Sequence, residues 1–301
     1  PDVISFNSEI SNRFKNFNTS ILPDLEIVFG RMNYYLPSIG LPQGVITVNS
    51  FQCQKHEWEC IPGNQLSLDG DGIYLYPYGD TLIIGLDMYL GKENKFYNYS
   101  YQYLNFMKQE KFLIVDALEN WLNNIYLDSH QHNTFIDELI YKGKIVYLLH
   151  KFIPDYEIKD VLKYSEEQMN GSESSEDIVW REIMKQDYLY STDFQEFHSY
   201  FNYSPNTVGF DESPGRLGYF IGYKIIDSYM KENDISLKEL MKNTKSQEIL
   251  LQSKYIPGKK DQDNSEKEQS QESWLKKYWW YSFGVIFFLG YFIYNKYAIK
   301  R

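Results

Sequence analysis

Apolar positions along the chain recur first at helical spacing. Phe6, Ile10, Phe14, Phe17 and Ile21 stand three or four residues apart, which places them on one stripe and predicts a helix over 5–29. The period then changes. Over 45–51, Val45, Thr47 and Asn49 alternate with Ile46, Val48 and Ser50, and the β-branched enrichment predicts a strand. Segments 73–76 and 81–86 predict two more strands with a turn at Pro77 and Gly79 between them, and Asp69-Gly70-Asp71-Gly72 suits a tight turn. From Tyr101 onward the spacing is helical again, predicting helices at 101–108, 111–126, 133–150, 176–190, 214–233, 236–242 and 245–251. The polar stretch 165–176 (SEEQMNGSESSE) reads as a surface loop. A small N-terminal sheet followed by a mostly helical remainder is an α+β domain, expected over 1–257.

Beyond it the pattern loses its periodicity. Residues 258–273 (GKKDQDNSEKEQSQES) hold almost nothing apolar and read as a flexible charged linker. Residues 278–294 (YWWYSFGVIFFLGYFIY) then run without a charge, at the short end of the roughly 17–25 residues that cross a hydrocarbon core. Trp274, Trp279, Trp280 and Tyr281 crowd one end and Tyr291, Tyr294 and Tyr297 the other, as interfacial aromatic belts do. Segment 274–301 is therefore expected to be a C-terminal transmembrane helix with a basic tail, contacting the bilayer through 278–294. Lys296, Lys300 and Arg301 against Lys276 and Lys277 bias the C-terminus towards the cytoplasm, which puts the domain outside it. A secretory signal is then expected to have preceded Pro1.

Charge sharpens the division. The chain has 301 residues and a net charge of −11, yet 274–301 carries five basic residues and no acidic ones, so the domain is the acidic part. It offers no basic face for phosphates, and nucleic acid is not an expected partner. Aromatics make up 18% of residues, with 28 tyrosines, so core and surface are rich in rings that bury a face and keep a polar handle.

The five histidines allow metal and histidine chemistry to be checked one by one. His56-Glu57 begins a His-Glu-x-x-His pattern, but Cys60 stands where the second histidine would be. His130 and His132 could present two rings from an extended segment, or simply sit in a polar loop; His150 and His198 are isolated. Cys53 and Cys60 are the only cysteines. In an oxidising compartment they would close a short loop worth about 2–3 kcal/mol as a disulfide; otherwise they are two buried thiols. Asp69 and Asp71 lack the further ligands of a calcium loop, and no P-loop, dinucleotide fingerprint or serine elbow occurs. No catalytic set emerges.

Several segments taken together resemble the gliding-motility lipoprotein B (GldB) family of Bacteroidota. They are LIIGLDMYLG at 82–91, ELIYKGKIVY at 138–147 followed by Pro154, DYLYSTD at 187–193, ESPGRLGYFIGY at 212–223 with SYM at 228–230, and SKY at 253–255. They stand in the family's order across most of 1–257. The resemblance implies a cell-envelope protein of gliding motility and the associated type IX secretion apparatus, acting through contacts with envelope or inner-membrane proteins. Family members usually carry an N-terminal lipid anchor, whereas this chain shows a C-terminal span. The expected seat is therefore the inner membrane, single-pass, with the domain in the periplasm; the periplasmic face of the outer membrane is the alternative.

The family is in turn distantly similar to predicted zinc peptidases. Where their helix carries His-Glu-x-x-His, this chain reads IVDALE over 114–119, and the later glutamate position reads YKGK over 141–144. The resemblance thus implies a degenerate zincin-like domain without peptidase chemistry and without a cofactor. Its motif positions Asp87, Tyr89, Tyr141, Lys144 and Arg216 become the candidate binding residues. Three of them have a plainer role: Asp87 capping the turn after a strand, Tyr89 packing, and Arg216, which could clamp an anion, pairing instead with Asp211 or Glu212; Tyr141 and Lys144, one helical step apart, mark the place of a repurposed pocket. Gly215, Gly218 and Gly222 on helix 214–233 would permit close helix packing, with Pro214 in the first turn. Two other functions fit the same sequence: a divergent zinc hydrolase built on His130, His132 and distant carboxylates, or an accessory subunit of another inner-membrane complex docked through its aromatic helix.

Overall fold

The N-terminal apolar stripe is carried by two helices rather than one. In the computed structural model, which describes residues 3–49, 73–75, 80–95, 97, 102–130, 132–185, 188–210 and 213–258, α1 (Val3–Arg13) and α2 (Ile21–Tyr35) flank a 3-10 turn at Phe17–Thr19. The break has a local cause. The Asn16 carbonyl accepts from both the backbone N–H and the hydroxyl of Thr19 and of Ser20, all within 2.9–3.1 Å, and this side-chain competition tightens the turn. Phe6, Ile10, Phe14, Phe17 and Ile21 are nevertheless all buried, so the stripe runs unbroken across the bend.

Three short strands follow: β1 (Gly44–Val48), β2 (Ile73–Leu75) and β3 (Thr81–Gly85), in the order β1-β3-β2. β1 lies parallel to β3 with Gly44 opposite Thr81, and β2 lies antiparallel with Ile73 opposite Ile84. Leu82 and Ile84, two residues apart on the central strand, share one face and are fully buried. All three expected strands form. The Asp69–Asp71 turn, His56, Cys53 and Cys60, the linker and the span 278–294 lie outside the described residues. Among the described residues no helix is long and apolar enough to cross a membrane.

The remainder is helical: α3 (Gln102–Phe106), α4 (Phe112–Tyr126), α5 (Phe135–Phe152), α6 (Ile158–Leu162), α7 (Glu166–Lys185), α8 (Phe194–Phe197), α9 (Leu217–Glu232), α10 (Leu237–Lys242) and α11 (Ser246–Ser253). α5 is the axis of the core. A reciprocal Thr134–Asp137 capping box starts it, and it is buried along nearly its whole length. Its Phe135 ring gathers Phe197, Tyr200 and Phe201 at 5.2–5.4 Å, which is where part of the aromatic excess goes.

Two expectations about helix limits are corrected. Segment 165–176 is helix, not loop. Ser165 and Gln168 cap each other's backbone N–H groups at 2.9 and 3.1 Å, and Met169, Ser172, Glu176, Val179 and Ile183 bury one face at spacings of three and four. Ser172 and Glu176 are on that buried face, while the other serines and glutamates that suggested a loop occupy the remaining faces. Helix 214–233 begins only at Leu217, because Arg216 stands before it in the left-handed region with φ 62°. Gly215 therefore lies outside the helix, against Ser204; Gly218 packs on Phe201, and only Gly222 permits the helix crossing, meeting Gly143 of α5.

Candidate functional site

α4 is an apolar helix with acids in it. Its first eight residues are all buried and all but two are uncharged; Asp116 and Glu119 are the exceptions in charge but not in burial. A carboxylate removed from water needs a counter-charge and hydrogen-bond donors. Both acids have them. Asp116 pairs with the Lys163 ammonium and accepts from the Tyr89 hydroxyl at 2.8 Å. Glu119 accepts from Arg216 Nη2 at 2.9 Å.

The two cations converge as well. Arg216 Nη1 and Lys163 Nζ both donate to the hydroxyl oxygen of Tyr203, at 2.7 and 3.0 Å. The guanidinium carbon sits 3.7 Å from the Tyr219 ring centre and 4.4 Å from that of Tyr203, so aromatic faces cover it. Both cations occupy left-handed backbone, φ 59° at Lys163 and 62° at Arg216, which non-glycine residues adopt only where surroundings compel it. Lys163 follows the last turn of α6, and Arg216 precedes the first turn of α9.

A cavity of about 500 Å³ opens above this cluster. Lys163, Tyr164, Tyr203 and Arg216 line its interior, with Asn105 and Gln168 on its walls. Lys92, Glu93 and Glu167 stand exposed at its rim, whereas Asp116 and Glu119 do not line it.

The motif positions fall into two groups along α4. Tyr89 and Arg216 belong to the charged cluster. Asp87 lies beside it, fully buried within the 3-10 turn Leu86–Met88 rather than at its cap, and its carbonyl accepts from the Tyr97 hydroxyl at 2.7 Å. Arg216 takes Glu119 as its acid, 97 residues away in sequence, while Asp211 and Glu212 lie outside the described residues. Tyr141 and Lys144 form the second group. The Tyr141 hydroxyl donates to Asn123 of α4 at 2.8 Å, and its ring is flanked by His130 and His132 at 4.9 and 4.8 Å. Burial, with the charges of Tyr219, Glu119 and Glu138 adding to it, pushes the Tyr141 phenol far up, so it stays a neutral donor.

Lys144 is wholly enclosed and bonds the Asn243 carbonyl and His130 Nε2, the latter at 3.2 Å. Burial brings its ammonium down to about 7; burial, then the Lys144 charge, brings His130 down to about 4. His130 is thus neutral near pH 7 and accepts from the lysine through Nε2, while its Nδ1 faces the Tyr126 carbonyl at 3.0 Å. His132 is held by Glu138 at 2.5 Å and by the Leu127 carbonyl at 3.0 Å. All four imidazole nitrogens of the candidate zinc pair have protein partners. Among the described residues no three metal-ligating side chains cluster.

Asp116, Glu119, Lys163 and Tyr203 are the residues of this region that sequence spacing did not single out. Two acids three residues apart inside FLIVDALENWL were the available signal, since such acids demand partners from elsewhere in the fold.

No curated protein and no solved structure matches the chain. A family model does, described as gliding motility protein GldB, and it takes in residues 1–257, the whole of the unit that builds both groups. The chain belongs to the GldB family of gliding motility proteins.

Proposed function

We propose that this protein is a non-catalytic, membrane-anchored component of the cell envelope that serves gliding motility, and the type IX secretion apparatus tied to it, through protein–protein contacts. The observation that carries the proposal is the family match over 1–257. The domain belongs in the periplasm, held through a linker at 258–273 to one inner-membrane helix at 278–294; the outer-membrane seat of a lipoprotein is the alternative.

The state of the buried groups supports a non-catalytic role. A general acid or base must exchange a proton with substrate, and a metal site needs imidazoles with available lone pairs. Here Asp116 and Glu119 are each tied to a cation, and His130 and His132 are bonded on both ring nitrogens. On a zincin-like ancestry, α4 would be the former metal-binding helix, its ligands replaced by acids that hold Lys163 and Arg216. A zinc hydrolase using His130 and His132 would have to break the Lys144 and Glu138 bonds first.

The test is genetic. Removing the gene from its native cell should abolish spreading on agar, and the full chain supplied in trans should restore it. Wild-type spreading without the gene would contradict the motility role.

A further inference from the structure

β1 lies at the end of the sheet, with β3 on one side and, among the described residues, no strand on the other. An open edge is a template for another strand, and folded proteins usually blunt it with a lysine, a proline or a bulge. β1 has none of these. Gly44–Val48 reads GVITV, and its register with β3 runs from Gly44 opposite Thr81 to Val48 opposite Gly85 without a slip. The edge is also open to approach. Ile46, opposite Ile83 on the face turned away from the buried Leu82 and Ile84, is 47% exposed. Thr47 shares the face of Ile84 and is exposed as well, so the layer that buries Ile84 does not reach across to β1.

Charge says what fits there. Residues 1–257 hold 36 acidic side chains against 22 basic ones, yet 32–54 contain neither, the longest uncharged run in the chain. Its described part carries Tyr34, Tyr35, Leu41 and Ile46, all large apolar side chains that stand exposed, Tyr34 at 80%. A partner that recognises an acidic protein by opposite charge needs acidic side chains to meet, and this segment offers it none. A second copy is the reverse case. Two acidic bodies repel wherever their like charges approach, and they meet closely only across a surface that carries no charge.

The strand complements itself in register too. An antiparallel pairing about a two-fold axis through Ile46 sets Ile46 opposite Ile46, Val45 opposite Thr47 and Gly44 opposite Val48, with no charge at any position. We propose that β1 is a self-association edge, pairing antiparallel with β1 of a second copy of this chain so that two three-stranded sheets join into one. The proposal is independent of the motility role, since it rests on the strand edge and its charge alone.

Light-scattering mass of the full chain in detergent, with the detergent's share subtracted, tests it. The unmodified chain should approach twice 35.9 kDa as its concentration rises. Ile46→Lys and Ile46→Glu each set like charges directly opposite one another in the pair, and each should raise the dissociation constant by about fivefold or more. Their equimolar mixture, which sets lysine against glutamate, should restore the dimer. A dimer held by any other surface would not answer to the charge at 46. Should either variant fail to fold, amide hydrogen exchange in the unmodified chain carries the test, since 44–48 should slow as concentration rises. A chain still monomeric at about 100 μM, a dimer that neither variant weakens, a mixture that stays monomeric, or exchange at 44–48 independent of concentration would each overturn the proposal. So would a monomeric chain that loses an envelope protein on Ile46→Lys, which would assign the edge to a different partner.

Discussion

The strongest demands on single residues fall where charge is buried. Asp116 is 1% exposed and its counter-ion Lys163 has a side chain only 2% exposed. Removing one member of such a pair leaves a charge without water or partner, at a cost of about 3–5 kcal/mol. Lys163→Met should therefore lower urea stability by that amount, and adding Asp116→Asn should recover much of it; a loss below about 1 kcal/mol in the single variant would show that the pair is not formed. Lys144 makes a prediction in pH. Its ammonium is held down to about 7 from an ordinary 10.5, so between those values the unfolded chain holds a proton the native lysine lacks, and stability rises with pH across that window. His130, held to about 4 from 6.5, works in the same sense lower down: its contribution is full above 6.5 and lost as pH falls towards 4. The urea-midpoint difference between wild type and Lys144→Met should shift in favour of wild type between about pH 7 and 9.5, and a pH-independent difference would contradict the buried-amine account.

Elements meet most closely where α5 crosses α9. A Cβ at Gly222 would lie 2.2 Å from the Leu139 carbonyl oxygen, and one at Gly143 would lie 2.3 Å from the Gly222 carbonyl, both against backbone with no flexible atom to yield. Gly222→Ala should force the helices apart and cost upwards of about 1–3 kcal/mol, read as a lower thermal midpoint; an unchanged midpoint would mean the crossing is looser than described. Helix α5 was legible because its apolar positions continue for five turns behind a Thr-x-x-Asp start. The strands were legible because β-branched residues alternate there. α7 was not, since its burial rests on five positions among serines and glutamates, and the Ser165–Gln168 cap was the readable sign. The break after α1 and the late start of α9 escaped for another reason: both depend on backbone turns that a periodic stripe passes straight through. In the candidate site, Tyr89 and Arg216 carried a motif. Their acids on α4, and Lys163 beyond, are brought together only by contacts 27 to 97 residues apart, which spacing cannot express.

At the scale of the molecule, a GldB-family domain gathers a band of buried polar groups along α4. Asp116, Glu119 and Asn123 occur at spacings of three and four, so they share a face, and around them gather Lys163, Arg216 and Tyr141. Both acids there are answered by a cation. The proposal that it works as an envelope scaffold is tested most directly by purifying the full chain from its native envelope in mild detergent and assaying the eluate for partners and for metal together. The account predicts a stoichiometric envelope protein alongside the chain and no bound zinc. A solitary chain carrying stoichiometric zinc would contradict it and return attention to His130 and His132.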